Sequence, residues 1–269
     1  RNNRVITDTD LAIVVFLFRY RFATAEMMFR YLGEGSTLES MTERLNRLVK
    51  NRILNKFMLS MDSTSQTIPI DALQIYCLDV GGRTLLTHYS NENTTNWYTT
   101  ENMRGAEVIT RDLVTANFYI KLMQTCPDRV KHFKLNPTYR LGRTATVPSF
   151  EMALIVNNQL RYFIGEVVRD SDFPTLFRER LERLESILST QAWKKYFYDL
   201  DNPPPVFVFA EDDRNALDIA KMIHGTTEMT SARLTTDGRL LRDLGDVGTF
   251  LRYNPEEGRL QEIKASIFG

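Results

Sequence analysis

The chain has 269 residues, of which 43% are hydrophobic and 25% charged, with 34 Lys+Arg balanced by 34 Asp+Glu. That is globular composition, enough for about two domains, and it excludes a disordered chain. Zero net charge excludes a uniformly basic nucleic-acid binder, so any such contact has to come from a local patch.

Cys77 and Cys126 form no CxxC pair and no zinc ligand set, which is the pattern of thiols in a reducing compartment. His88, His132 and His224 are too dispersed for a metal cluster and read as surface or packing residues. The apolar run at 11–18 ends at Arg19, well short of the roughly 20 residues that a spanning helix needs. With no signal peptide visible, the expected location is the cytoplasm, with no membrane partner.

In chain order, residues 8–21 read as a helix capped by Asp8 or Asp10, with Leu11, Val14, Val15, Phe18 and Phe22 on one buried face. A short helix at 24–32 follows, capped by Thr24. A third helix runs over 36–51, with Ser36 and Glu39 as a capping box and Leu38, Met41, Leu45, Leu48 and Val49 facing inward. A strand at 53–59, a polar stretch at 62–67, a strand at 73–78, a break at Gly81-Gly82 and a short helix at 83–89 complete the first part. This order is that of a winged helix-turn-helix, with the third helix as recognition helix and 60–72 as the wing.

Residues 91–102 read as a polar linker, and the longest helical pattern lies at 103–125. Strands are expected at 130–135, at 150–156 and 160–168 across an Asn157-Asn158 turn, at 206–210, and late in the chain at 233–235 and 249–253. Helices are expected at 173–189 and 214–224. The fold class is α+β or α/β. Its domains are a winged helix-turn-helix over 1–90 and a mixed-sheet domain over 103–269.

The stretches Phe16–Thr24, Arg44–Val49 and Tyr76–Arg83, then Val147-Pro148-Ser149 and Tyr162–Arg169, resemble the replication-relaxation family of bacterial mobile elements. That resemblance implies a winged helix-turn-helix followed by a restriction-endonuclease-like domain. In such nucleases two carboxylates and a lysine on adjacent strands hold Mg²⁺ and position water. Here Ser149 stands at one carboxylate position and Val168 at the lysine position. Glu151 and Arg169 are the nearest substitutes, and strand alternation argues against both. The site therefore reads as degenerate and non-catalytic, with Glu151 and Glu166 as its residues if it cuts.

On the third helix Arg44, Arg47 and Lys50 share one face. Arginine reads guanine and lysine neutralises phosphate, so this face is expected to meet double-stranded DNA. Ser40, Thr42 and Glu43, nearer the helix start, are the expected base readers. Arg52 extends the basic run two residues further, and Lys56 and the polar wing are expected to add backbone contacts. Residues 1–90 hold 11 Lys+Arg and 9 Asp+Glu, a small excess that points to a homodimer or to a protein-docking module. The Glu211–Asp213 acidic run reads mainly as a helix cap. With no GxxxxGK[ST] and no HExxH, neither ATP hydrolysis nor zinc chemistry is expected. The expected function is a DNA-binding accessory protein for replication, mobilisation or maintenance of a plasmid or other mobile element, needing no cofactor and working with replication, transposition or mobilisation proteins. Two alternatives stand beside it: a metal-dependent nuclease, and a protein-interaction subunit of a transposition, conjugation or defence complex.

Overall fold

Helix α1 (Asp8–Tyr20) starts at Thr7, whose hydroxyl accepts from the Asp10 amide while the Asp10 carboxylate accepts from the Thr7 amide. The cap is therefore Thr7, and Asp8 and Asp10 lie inside the first turn. The reciprocal box satisfies two amides, where a lone aspartate cap satisfies one. The computed structural model describes residues 6–59, 73–170, 173–197, 200–226 and 232–263. The wing expected at 60–72 lies outside them. The chain divides into two compact units at residue 120.

In the first unit the buried face of α1 is Ile13, Val14, Phe16, Leu17 and Tyr20. Leu11, Val15 and Phe18, expected inside, are only half-buried, and Phe22 begins strand β1 (Phe22–Ala23). Helix α2 (Ala25–Leu32) is capped by Thr24, as its sequence predicts. Helix α3 (Leu38–Lys50) is capped by Thr37 in a box with Ser40. Ser36, the expected cap, instead donates its hydroxyl to the Gly33 carbonyl at 3.0 Å. Met41, Leu45 and Leu48 are buried, whereas Leu38 is largely exposed.

Strands β2 (Leu54–Leu59) and β3 (Leu73–Leu78) join β1 in an antiparallel sheet of order β1-β3-β2. Helix α4 (Val80–Tyr89) begins directly after Asp79, so Gly81-Gly82 does not break the chain but forms the first helical turn. A Cβ on Gly81 would lie 2.5 Å from the Arg52 carbonyl oxygen, and one on Gly82 2.6 Å from that of Ile53. The two glycines let this turn rest on the main chain that leaves α3. Residues beyond α4 are tied to this unit by Arg21–Glu101 at 2.7 Å and by the Asn102 amide donating to the Leu78 carbonyl at 2.8 Å. Helix α5 (Ala106–Thr125) follows.

The second unit is built on a seven-stranded mixed sheet of order β12-β11-β10-β9-β8-β7-β4. Its strands are β4 (Val130–Leu135), β7 (Phe150–Val156), β8 (Gln159–Val167), β9 (Val206–Ala210), β10 (Arg233–Thr236), β11 (Leu251–Asn254) and β12 (Arg259–Glu262), and a separate hairpin pairs β5 (Tyr139–Leu141) with β6 (Thr144–Thr146). Strands β8, β9 and β10 run parallel and the other pairs antiparallel. The turn between β7 and β8 has φ of 50° at Asn157 and 60° at Asn158, the left-handed pair that a two-residue hairpin requires and asparagine tolerates.

One sheet face carries Ile164, Val206, Val208 and Ala210. It packs on Phe177, Leu181 and Leu184 of α6 (Thr175–Ser189) and on Ala216, Ile219 and Ile223 of α7 (Asp213–Thr226). The other face is aromatic: Phe133 stacks on Phe150 at 5.1 Å, and Phe207 meets Phe163 and Phe250 at 5.1 Å each. A four-residue helix, α8 (Asp237–Leu240), follows β10. The described residues thus form an α+β protein with eight α-helices and a large mixed sheet. None of the described helices is long and apolar enough to cross a membrane.

Candidate nucleic-acid interface

Helix α3 presents Glu39, Ser40, Glu43, Arg47 and Lys50 to solvent. Ser40 is committed to the capping box, and the Thr42 hydroxyl donates to the Leu38 carbonyl at 2.8 Å. Arg44 and Arg47 do lie on one face, but that face is turned towards α1. Arg44 Nη1 donates to Asp10 Oδ1 at 2.9 Å and to Thr7 Oγ1 at 3.0 Å. Arg47 Nη2 reaches Asp10 Oδ1 and Oδ2 at 2.8 and 2.9 Å. Asp10 is only 1% exposed. Burial alone would raise its carboxyl pKa. The Thr7 amide, Arg44 and Arg47 outweigh that effect and hold it below its ordinary value.

Two of the cations expected to meet DNA therefore clamp a buried carboxylate between α1 and α3. Lys50 and Arg52 remain exposed just beyond, with Arg52 at φ 57° after the helix end. Lys56 on β2 donates its ammonium to Asn46 Oδ1 at 2.8 Å. Asn46, Arg47, Lys50 and Asn51 line one groove with Ile6 and Asp10.

In the second unit the strand register pairs Glu151 with Ile164, two residues before Glu166. Glu151 and Glu166 thus share a sheet face as diagonal neighbours, against the alternation argument made from sequence, because Glu151 stands two residues from Ser149 and so keeps its side. They face different partners. Glu166, 2% exposed, lies under α6 with Oε2 3.8 Å from Arg180 Nε. Glu151 accepts from the Tyr139 hydroxyl at 2.5 Å and lies 3.0 Å from His132 Nε2. Burial raises the Glu151 carboxyl pKa, and the bonds from His132 and Tyr139 more than offset it, so the carboxylate form is favoured. Burial and the neighbouring Glu151 raise the Tyr139 phenol pKa.

Val168, at the lysine position, is buried in the apolar core, and Arg169 pairs with Asp237 through two bonds of 2.7 and 3.0 Å. Among the described residues no three His, Cys, Asp or Glu side chains gather to hold a metal. A guanidinium beside Glu166 also occupies the charge role that a divalent ion would take.

Asp212 caps α7 through the Asn215 amide at 2.8 Å, the role expected of the acidic run. Asp213 instead binds Arg239 at 2.7 and 2.8 Å. Burial raises the Glu211 carboxyl pKa, and nearby Arg169 opposes that rise. The His132–Glu151–Tyr139 cluster was missed from sequence. The three residues span β4, β5 and β7, and no local motif links them. No protein-family model, curated protein or solved structure matches this chain.

Proposed function

We infer that the chain is a DNA-binding accessory protein of the kind that serves replication, mobilisation or maintenance of a mobile element, with the first unit as a winged helix-turn-helix. The observation that carries this reading is topological. Three helices lead into an antiparallel sheet in which the short strand after α1 pairs with β3, and the outer turns of α3 are left to solvent. That arrangement lets α3 enter a major groove.

The contact set is narrower than its sequence suggests. Arg44 and Arg47 are engaged by Asp10 of α1, and Lys50, Arg52 and Lys56 supply the phosphate contacts. Glu43 and Ser40 lie on the exposed side near the helix start.

The test is fluorescence anisotropy with duplex DNA across a salt series. Changing Lys50, Arg52 and Lys56 together to alanine should weaken binding and reduce the slope of log K against log salt by about 2 to 3. An unchanged slope rejects the α3 reading. The second unit is read as non-catalytic, because Glu166 is held by Arg180 and Glu151 by Tyr139 and His132. DNA should therefore stay intact with Mg²⁺ or Mn²⁺ present. Cleavage that disappears in Glu166→Gln would replace this reading with the nuclease.

A further inference from the structure

Between residues 129 and 163 the sequence carries six lysines and arginines and one carboxylate, Glu151, in a chain whose charges cancel over its whole length. Four of these cations lie together on one part of the second unit. Lys131 and Lys134 are exposed on β4, the strand at the edge of the seven-stranded sheet. Lys134 stands opposite Glu151 in the register, and Glu151 takes the Tyr139 hydroxyl. That bond brings the β5–β6 hairpin alongside, with exposed Arg140 and Arg143.

The Arg140 amide donates to the Tyr196 hydroxyl at 2.7 Å, and the Tyr139 and Tyr196 rings meet edge-on at 4.9 Å. Tyr196 closes the short 3-10 turn Ala192–Lys195, which adds exposed Lys194 and Lys195. Each lysine lies over a ring, Lys194 over Trp193 at 5.6 Å and Lys195 over Tyr196 at 5.9 Å. A continuous chain of contacts thus links six cations. Among the described residues no ion pair within 4 Å involves any of the six, and Glu151, opposite Lys134, is held by His132 and Tyr139.

We propose that this surface of the second unit binds the phosphodiester backbone of duplex DNA, independently of sequence. A cationic surface of this kind costs free energy through self-repulsion unless a polyanion covers it. The centre of a protein–protein interface is depleted of charge, whereas protein–DNA interfaces are more polar and much more positive. Here the exposed groups are mostly ammonium, guanidinium, the His132 imidazole and the threonine side chains of Thr138 and Thr144, with Val147 the exposed apolar side chain after β6, and the tyrosines hold the hairpin and the turn together. The main chain of Arg140, not its side chain, makes the bond to Tyr196, so its guanidinium is left for phosphate.

This inference rests on the reading that the chain binds DNA, but it lives on different residues from α3. The experiment takes the 269-residue chain and a random-sequence duplex through a salt series by anisotropy. Three proteins are compared: wild type, the α3 variant Lys50→Ala/Arg52→Ala/Lys56→Ala, and the variant Arg140→Ala/Arg143→Ala/Lys194→Ala/Lys195→Ala. The last should bind at least about tenfold more weakly and lose roughly 3 from the salt slope. If that variant does not melt like wild type, Lys131→Ala/Lys134→Ala takes its place, with an expected slope change of about 2.

Wild-type affinity and slope in the second-unit variant overturn the proposal. They leave the α3 reading standing if the α3 variant is weakened. A weakened second-unit variant beside an unaffected α3 variant supports the proposal and removes α3 as the DNA-reading element. Binding of polyglutamate without binding of duplex overturns the proposal and assigns the surface to an acidic protein.

Discussion

Asp10 holds two guanidiniums and a backbone amide with a side chain that water scarcely reaches. Taking away one side of such a pair leaves the other charges poorly matched, which costs about 3 kcal/mol. The partial exposure of Arg44 and Arg47 (30% and 45% of each side chain) keeps the effect from being larger. Asp10→Asn should therefore destabilise the first unit by about 2–3 kcal/mol in urea melts near neutral pH. The native carboxyl titrates below its unfolded value, so its stabilisation is complete above about pH 4 and disappears as pH falls through the lowered native value. The gap between wild type and Asp10→Asn should close in acid, and an equal gap at about pH 7 and about pH 3 would rule the mechanism out. The spacing of Arg44, Arg47 and Lys50 was legible in the sequence, but the destination of the arginines was not. Their partner lies 34 and 37 residues upstream, on another helix, and helical periodicity reports a face without saying what it faces. Sequence also placed two caps too far along or too early, because Ser, Thr and Asp crowd both starts and only the backbone angle of Thr7 and Thr37 selects between them.

At the scale of elements, the most readable parts were those with strong local chemistry. The Asn157-Asn158 hairpin and the wholly buried β9 lie where alternation and an unbroken apolar run put them. The short elements β1, β5, β6 and β12 were not legible, since two to four residues carry too little pattern to stand out. Gly165, inside β8, is explained only by its neighbour: a Cβ there would lie 2.0 Å from the Phe150 ring. That ring lies flat across the strand and carries the stack from Phe133 towards Phe209. Gly165→Ala forces the ring out of place in a close-packed layer and should cost about 1–3 kcal/mol. Calorimetry on the purified variant measures this, and a melting temperature equal to wild type would mean that the aromatic layer yields freely.

For the whole molecule, the division at residue 120 separates two units, and each has one tryptophan, half-buried Trp97 in the first and buried Trp193 in the second. Single-tryptophan versions (Trp193→Phe or Trp97→Phe) report the units separately. Asp10→Asn should move only the Trp97 transition and Gly165→Ala only that of Trp193, because distant sites without shared partners act additively. Coincident shifts of both transitions would show one cooperative block. The chain's zero net charge hides an uneven distribution: carboxylates clamp arginines in α1–α3 and at the ends of the parallel strands, while the cations around the β5–β6 hairpin go unmatched among the described residues. The mixed sheet also predicts an order of assembly. Strands β7 and β8 meet across a two-residue loop, whereas β8 can find β9 only after the segment 168–205, helix α6 included, has folded back. Closing the shorter loop costs less chain entropy. The local β7–β8 hairpin should therefore form before β9 and β10 are laid down beside it, so a mutation that loosens the Asn157-Asn158 turn should slow folding more than one in β10.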